Sequence, residues 1–293
     1  MGSGIYSSTV RYSRLKDEGV DYSTMTSAEA FPQRNINSKM SPFNVNIRES
    51  RDSEDHPESL AIILALDVTG SMGSIPHFLV KEGLPDIMDG IIKKGVLDPQ
   101  MLFLGIGDHE CDRSPLQVGQ FESSDELLDK WLTDIWLEGG GGGNYGESYL
   151  LAWYFAAYHT ETDCFEKRNK KGFLFTIGDE PVLRDLPKKT VEYIMGDGQY
   201  ENFTDQALYE KACEKYNVFH IHIKETGSGG RQTVMDGWRQ LLSDNLIIAE
   251  RKQDVAKIIS DTVLSLSEKQ DPTPKVNPDI TEPVTPKQEE MIL

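Results

Sequence analysis

Leu60-Ala-Ile-Ile-Leu-Ala-Leu-Asp67-Val-Thr69-Gly-Ser71-Met-Gly-Ser74 joins an unbroken apolar run to a turn dense in oxygen donors. From Leu60 to Leu66 no residue is polar, the pattern of a strand buried on both faces of a parallel sheet rather than of one half-exposed to water. Beyond it, Asp67, Thr69 and Ser71 stand at alternate positions on a turn loosened by Gly70 and Gly73. A carboxylate and two hydroxyls at the mouth of a sheet suit a hard divalent cation that takes oxygen ligands, Mg2+ or Mn2+. The plainer alternative is that the same residues cap the next helix, since Asp, Thr and Ser are what helix N-termini prefer.

Two later segments bear on that choice. Gly172-Phe-Leu-Phe-Thr-Ile-Gly178-Asp179-Glu-Pro181 repeats the form of an apolar strand ending in an aspartate, and Gly139 to Glu147 reads GGGGGNYGE. Together with D-x-T-x-S at 67–71, these segments resemble the von Willebrand factor A-type (vWA) domain and its metal-ion-dependent adhesion site (MIDAS), over roughly residues 59–266. The resemblance places Asp67, Thr69 and Ser71 in the signature and Asp179 at the second metal-site aspartate. It places the glycine run at the middle metal-site loop, where the family usually carries a Thr. This chain has none there, and Asn144 or Glu147 is the oxygen donor on offer.

Outward from the first strand, helical spacing runs from Ile75 to Lys94, with Gly83 and Pro85 expected to kink or split it. Met101–Ile106 reads as a strand, Leu116–Phe121 as an edge strand antiparallel by resemblance, and Asp125–Ile135 as a helix capped by Ser123 or Ser124. A helix follows from Glu147 to Tyr158, a strand at Phe173–Ile177, and a helix at Asp205–Tyr216. Val218–Lys224, Thr233–Leu242, Leu246–Ala249 and Val255–Leu266 complete the strand and helix alternation. That order predicts an α/β fold with a doubly wound, mostly parallel, Rossmann-like sheet, one antiparallel edge strand and helices on both faces. Residues 1–57 are too polar to form a core of their own and read as a flexible arm whose spaced aromatics could dock on a partner or another subunit. Residues 268–293, with five prolines, read as an extended tail.

The formal net charge is −18, and most of it falls on the 58–267 domain. Such a surface repels phosphate backbones, so nucleic acid is excluded as a partner and cations or basic surfaces are favoured. Cys111, Cys164 and Cys213 are odd in number and lack paired spacing, against a disulfide framework or a zinc site. With no signal-like start and no apolar run near the ~20 residues that span a bilayer, the expectation is a cytoplasmic protein that does not enter the membrane.

The resemblance implies a non-enzymatic binding module in which the Mg2+ receives a carboxylate from a protein partner. Three readings compete with it. A phosphate-cradling glycine loop would need Gly-Lys-[ST], and here Glu147 follows. An aspartyl phosphotransferase or hydrolase would want a second Asp where Thr69 stands. A structural protein with a vacant site remains the third. His109, between Asp108 and Glu110, is a candidate second ligand or base; His220 and His222 share one strand face, with no third ligand near them in sequence.

Overall fold

The computed structural model describes residues 4–96, 98–139 and 144–270. The tail from 271 onward and the glycines at 140–143 lie outside the described residues.

Ten strands form in chain order: β1 Arg48–Ser50, β2 Leu60–Asp67, β3 Pro99–Ile106, β4 Leu116–Val118, β5 Thr160–Thr162, β6 Gly172–Gly178, β7 Asp185–Leu186, β8 Phe203–Thr204, β9 Tyr216–Ile223 and β10 Leu246–Ala249. The main sheet has the order β10-β9-β6-β2-β3-β4. β2 pairs in parallel with β3 on one side and β6 on the other, and all eight of its residues are buried, which is why its sequence shows no alternation. β4 runs antiparallel to β3, with Ile106 opposite Leu116, as expected of the edge. Counted by appearance in the chain, the six strands follow the 3-2-1-4-5-6 order of doubly wound folds, and the order reverses between β2 and β6.

Helices cover both faces. Leu84–Ile92 packs on Lys252–Gln270 on one side, and Leu150–Tyr158 packs on Asp205–Cys213 on the other. Leu150–Tyr158 is apolar around its whole circumference, and every residue but Tyr158 is buried, because it lies between the sheet and other helices. The segment expected to kink at Gly83 and Pro85 instead continues through a π-helical stretch, Leu79–Gly83, between Ile75–Phe78 and Leu84–Ile92. Widening the hydrogen-bond register just before Pro85 accommodates a residue that has no N–H to give.

The expectation of a flexible arm at 1–57 needs correction. The helix Ser8–Asp17 lies against Asp125–Thr133. Arg11 Nε donates to both oxygens of Asp129 at 2.8 and 3.0 Å, and its Nη2 donates to the Val80 carbonyl at 2.7 Å. Arg14 bonds Asp125 and Asp129. Tyr6, Ala30, Phe31 and Met40 sit in the same hydrophobic core as the sheet, and β1 pairs in parallel with β5. The segment has no core of its own, but it borrows the domain's. Single anchors at irregular spacing leave no period in the sequence. Tyr6 and Phe31 are used within this chain, whereas Tyr12 and Phe43 remain exposed.

Candidate metal centre

Leu66 of β2 stands opposite Ile177 of β6, so Asp67 and Asp179 leave adjacent strands at the same end, where the strand order reverses. This is where open α/β sheets bind ligands. Both aspartates are fully buried.

The turn after β2 folds back on Asp67. Thr69 donates to Asp67 Oδ1 from its backbone N at 2.9 Å and from its hydroxyl at 2.5 Å. Ser71 Oγ lies 3.2 Å from Thr69 Oγ1 and donates to Asp179 Oδ1 at 2.8 Å. The capping alternative does not account for this turn: Thr69 precedes the short helix Gly70–Met72, yet its side chain makes no cap bond there. The four signature residues form one hydrogen-bonded cluster across two strand ends.

Glu147 joins this neighbourhood from the far side of the glycine run, ahead of the helix expected to begin with it. Its N–H donates to the Pro181 carbonyl at 2.8 Å and its own carbonyl accepts from Leu183 N–H at 3.0 Å, which stitches it to the exit of β6. Its side chain is buried, and Oε2 has no hydrogen-bond partner; Asp179 Oδ2 is likewise buried and unpartnered. Asn144 is placed differently. Its amide donates to Glu110 Oε2 at 2.6 Å, on the rim.

Burial pushes the Asp67 carboxyl well above the usual carboxylate range; its bonds from Thr69 and Tyr149 pull the other way, and the charge of Asp179 adds to the rise. Glu147 is pushed up further, by burial first and then by Asp67, Asp108, Asp112 and Glu180. These are carboxyl groups crowded out of water, and a cation among them would relieve both causes at once. The donor set fits a hard ion: the carboxylates of Asp67 and Asp179, the hydroxyls of Thr69 and Ser71, and Glu147 beside them, with Asp179 Oδ2 and Glu147 Oε2 buried and without a partner. Among the described residues no three His, Cys, Asp or Glu side chains gather closely enough to cage an ion by themselves, so any such ion would depend on Thr69 and Ser71.

Tyr149 is a site residue that sequence reasoning missed. It is fully buried, and its hydroxyl donates to Asp67 Oδ2 at 2.8 Å. Gly178 makes room for it, since a Cβ there would stand 1.8 Å from the hydroxyl oxygen. Nothing in the local pattern marks Tyr149, because it lies at the start of a uniformly apolar helix. The histidines have structural partners. His109 Nδ1 lies 2.8 Å from Ser148 Oγ, whose oxygen also accepts from His109 N–H. His220 stacks on Trp238 with ring centroids 3.6 Å apart and lies 2.9 Å from Thr176 Oγ1, while His222 Nε2 donates to the Gly229 carbonyl at 2.8 Å. Burial pushes the pKa of all three down, toward neutral imidazole.

The six-stranded order, the antiparallel edge and the signature turn meeting Asp179 at the switch point agree on one architecture. The fold is a doubly wound α/β sheet with one antiparallel edge strand, and its strand order and strand-end turn resemble those of vWA domains. No protein-family model matches the sequence, and no curated protein matches it. Among solved structures the chain is similar to proximal thread matrix protein 1 from the mussel byssus, at 12% identity and TM-score 0.44, covering 71% of this chain and 48% of that one. It is similar to the pilus adhesin SpaC from Lactobacillus rhamnosus GG, at 9% identity and TM-score 0.49, covering 76% of this chain and 31% of that one. A third is the conserved hypothetical protein BatB from Bacteroides thetaiotaomicron, at 12% identity and TM-score 0.43, covering 71% of this chain and 99% of that one. The match thus spans less than half of the first two chains. Likenesses this distant carry no argument, and the resemblance to vWA domains rests on the sheet order and the strand-end turn.

Proposed function

We propose that this protein is a metal-dependent protein-binding module rather than an enzyme. The observation that carries the reading is the meeting of Asp67, Thr69, Ser71 and Asp179 at the switch point, with buried, unpartnered oxygens on Asp179 and Glu147. Asp67, Asp179, Thr69 and Ser71 would hold Mg2+ or Mn2+, with Glu147 beside them as a further carboxylate. A bound ion of this kind supplies a Lewis-acidic centre that attracts an oxygen ligand from outside, here a carboxylate of a partner protein. Thr69 and Tyr149 orient Asp67 by bonding its two oxygens separately, and Ser71 ties the turn to Asp179.

Against the hydrolase reading, the histidines at this end of the sheet are tied to Ser148, Thr176 and Gly229. A Ser-His-Asp row does exist elsewhere, with His56 Nε2 2.9 Å from Ser123 Oγ and Nδ1 3.4 Å from Asp98 Oδ1. All three are buried, and Ser123 Oγ donates to the Gly4 carbonyl, so the row pins the start of the chain rather than facing a substrate.

The test is thermal. Mg2+ or Mn2+ bound only to the native state should raise the Tm of the full chain relative to chelator, by RT ln(1 + [L]/Kd), and Asp67→Asn should abolish the increment. Superimposable melting curves in millimolar Mg2+, Mn2+ and EDTA would remove the metal-dependent reading.

A further inference from the structure

The carboxyl groups at this end of the molecule outnumber what a divalent ion can neutralise. Asp67, Asp108, Glu110, Asp112, Glu147 and Asp179 surround the site, and among the described residues none of them forms a salt bridge. Glu180 and Glu138, by contrast, are paired with Arg231 and Arg113. Asp108 is buried at the exit of β3, where it caps its own turn by accepting from Glu110 N–H at 2.8 Å. Glu110 is on the exposed rim, where Asn144 bonds it, and Tyr145 beside Asn144 is 86% exposed. The buried Glu147 oxygen without a partner sets this apart from a solvated acidic patch, because a buried polar atom left unbonded is costly and marks a place where a ligand would supply the missing partner. Six carboxylates and one divalent ion leave an excess of negative charge even if one or two carboxyls keep a proton. A lone incoming carboxylate would meet attraction from the ion and repulsion from everything around it.

We infer that the partner presents its acidic residue between basic ones, the carboxylate going to the ion and the flanking Lys or Arg to the rim of Glu110, Asp112 and Tyr145. This deepens the metal-dependent reading and rests on it. The rim offers a cation both things it binds well: carboxylates at the surface, and the exposed face of a tyrosine ring. Flanking positive charge then supplies specificity, since acidic segments lacking it are repelled.

The experiment uses the full chain and synthetic peptides, blocked at both ends, each with one central Asp flanked by Arg and Lys, by Ser, or by Glu. Affinities are read by fluorescence anisotropy in Mg2+ and in EDTA, and the Mg2+-dependent Tm shift is recorded on the same samples. The basic-flanked peptide should bind at least about ten-fold more tightly than the Ser-flanked one, and the Glu-flanked peptide more weakly still. Binding should fall at least about ten-fold in EDTA, or when the central Asp is replaced by Asn. Glu110→Gln with Asp112→Asn should shrink the preference for basic flanks several-fold while the Tm shift with Mg2+ persists. With the Tm shift present, equal affinities for basic and Ser flanks, or no Mg2+-dependent binding of the basic peptide up to about 1 mM, would overturn this inference and leave the metal site standing. Equal binding of the Asn-containing basic peptide in EDTA would also overturn it, reducing the surface to an acidic patch. A missing Tm shift would sink the metal site and this inference together.

Discussion

Tyr149→Phe removes one oxygen atom and little else. The ring is fully buried against His220 and Trp238, and Phe fills the same volume, so the packing is retained. What is lost is the 2.8 Å hydrogen bond to Asp67 Oδ2. Asp67 keeps only the two bonds from Thr69, both on Oδ1. A hydrogen bond to a charged group contributes about 1.5–3 kcal/mol, so the ion-free protein at pH 8 should lose about 2 kcal/mol. For a chain of this size that lowers the Tm by roughly 4–8 °C. Near pH 5 the buried Asp67 carboxyl, pushed up as it is, holds a proton, and the loss should fall to about 1 kcal/mol, as for a neutral bond. Because the hydroxyl also orients Asp67, the Kd for Mg2+ should rise about ten-fold, as when an outer-shell partner of a metal ligand is removed. Calorimetric melting in EDTA at the two pH values, with Mg2+ titration at pH 8, reads all three effects. A Tm unchanged within about 1 °C at pH 8, together with an unchanged Mg2+ affinity, would refute the claim that this hydroxyl supports a charged Asp67.

Gly178→Ala places a methyl group 1.8 Å from the same hydroxyl oxygen, so Tyr149 must move; overpacking costs about 1–3 kcal/mol, and the variant should melt lower and bind Mg2+ more weakly. Introducing Tyr149→Phe into that background should cost less than it does in the wild type, which a double-mutant cycle measures. Arg11→Ala leaves Asp129 buried with only Arg14 beside it; breaking a buried ion pair costs about 3–5 kcal/mol, and limited proteolysis should then cut within residues 4–57 before the domain unfolds. Asp67 and Glu147 both have pKa values raised on folding, so their contribution to the ion-free protein is full below the unfolded value, about 4, and is lost as pH rises through about 7 for Asp67 and about 10 for Glu147. Chemical denaturation in EDTA should therefore show stability falling between about pH 5 and pH 8, a slope that saturating Mg2+ flattens.

The apolar run at 60–66, ending in a turn of small oxygen-bearing residues, marked a strand covered on both faces, because a central strand of a parallel sheet turns its alternate residues into two apolar layers. Strands and helices alternating along the chain then gave the layer order, and the aspartates closing β2 and β6 were visible as the polar residues that end two apolar strands. What pattern could not supply was anything set by single, aperiodic contacts. Tyr6, Phe31 and Met40 enter the core one at a time, so residues 1–57 looked like an arm although the described part, from residue 4, is anchored in the domain by these side chains. Tyr149 stands at the start of a helix of apolar and aromatic residues, and its role depends on a residue 29 positions away in sequence, Gly178, that leaves room for its hydroxyl. Where Asn144 and Glu147 sit was likewise not legible in the pattern: backbone bonds to Pro181 and Leu183 hold Glu147 at the exit of β6, and Glu110 takes the amide of Asn144. Local periodicity reports which face of an element avoids water, and that settled the sheet and its two aspartates. Which side chains meet across the sheet's end depends on pairings between segments distant in the chain, and those only the folded structure decides.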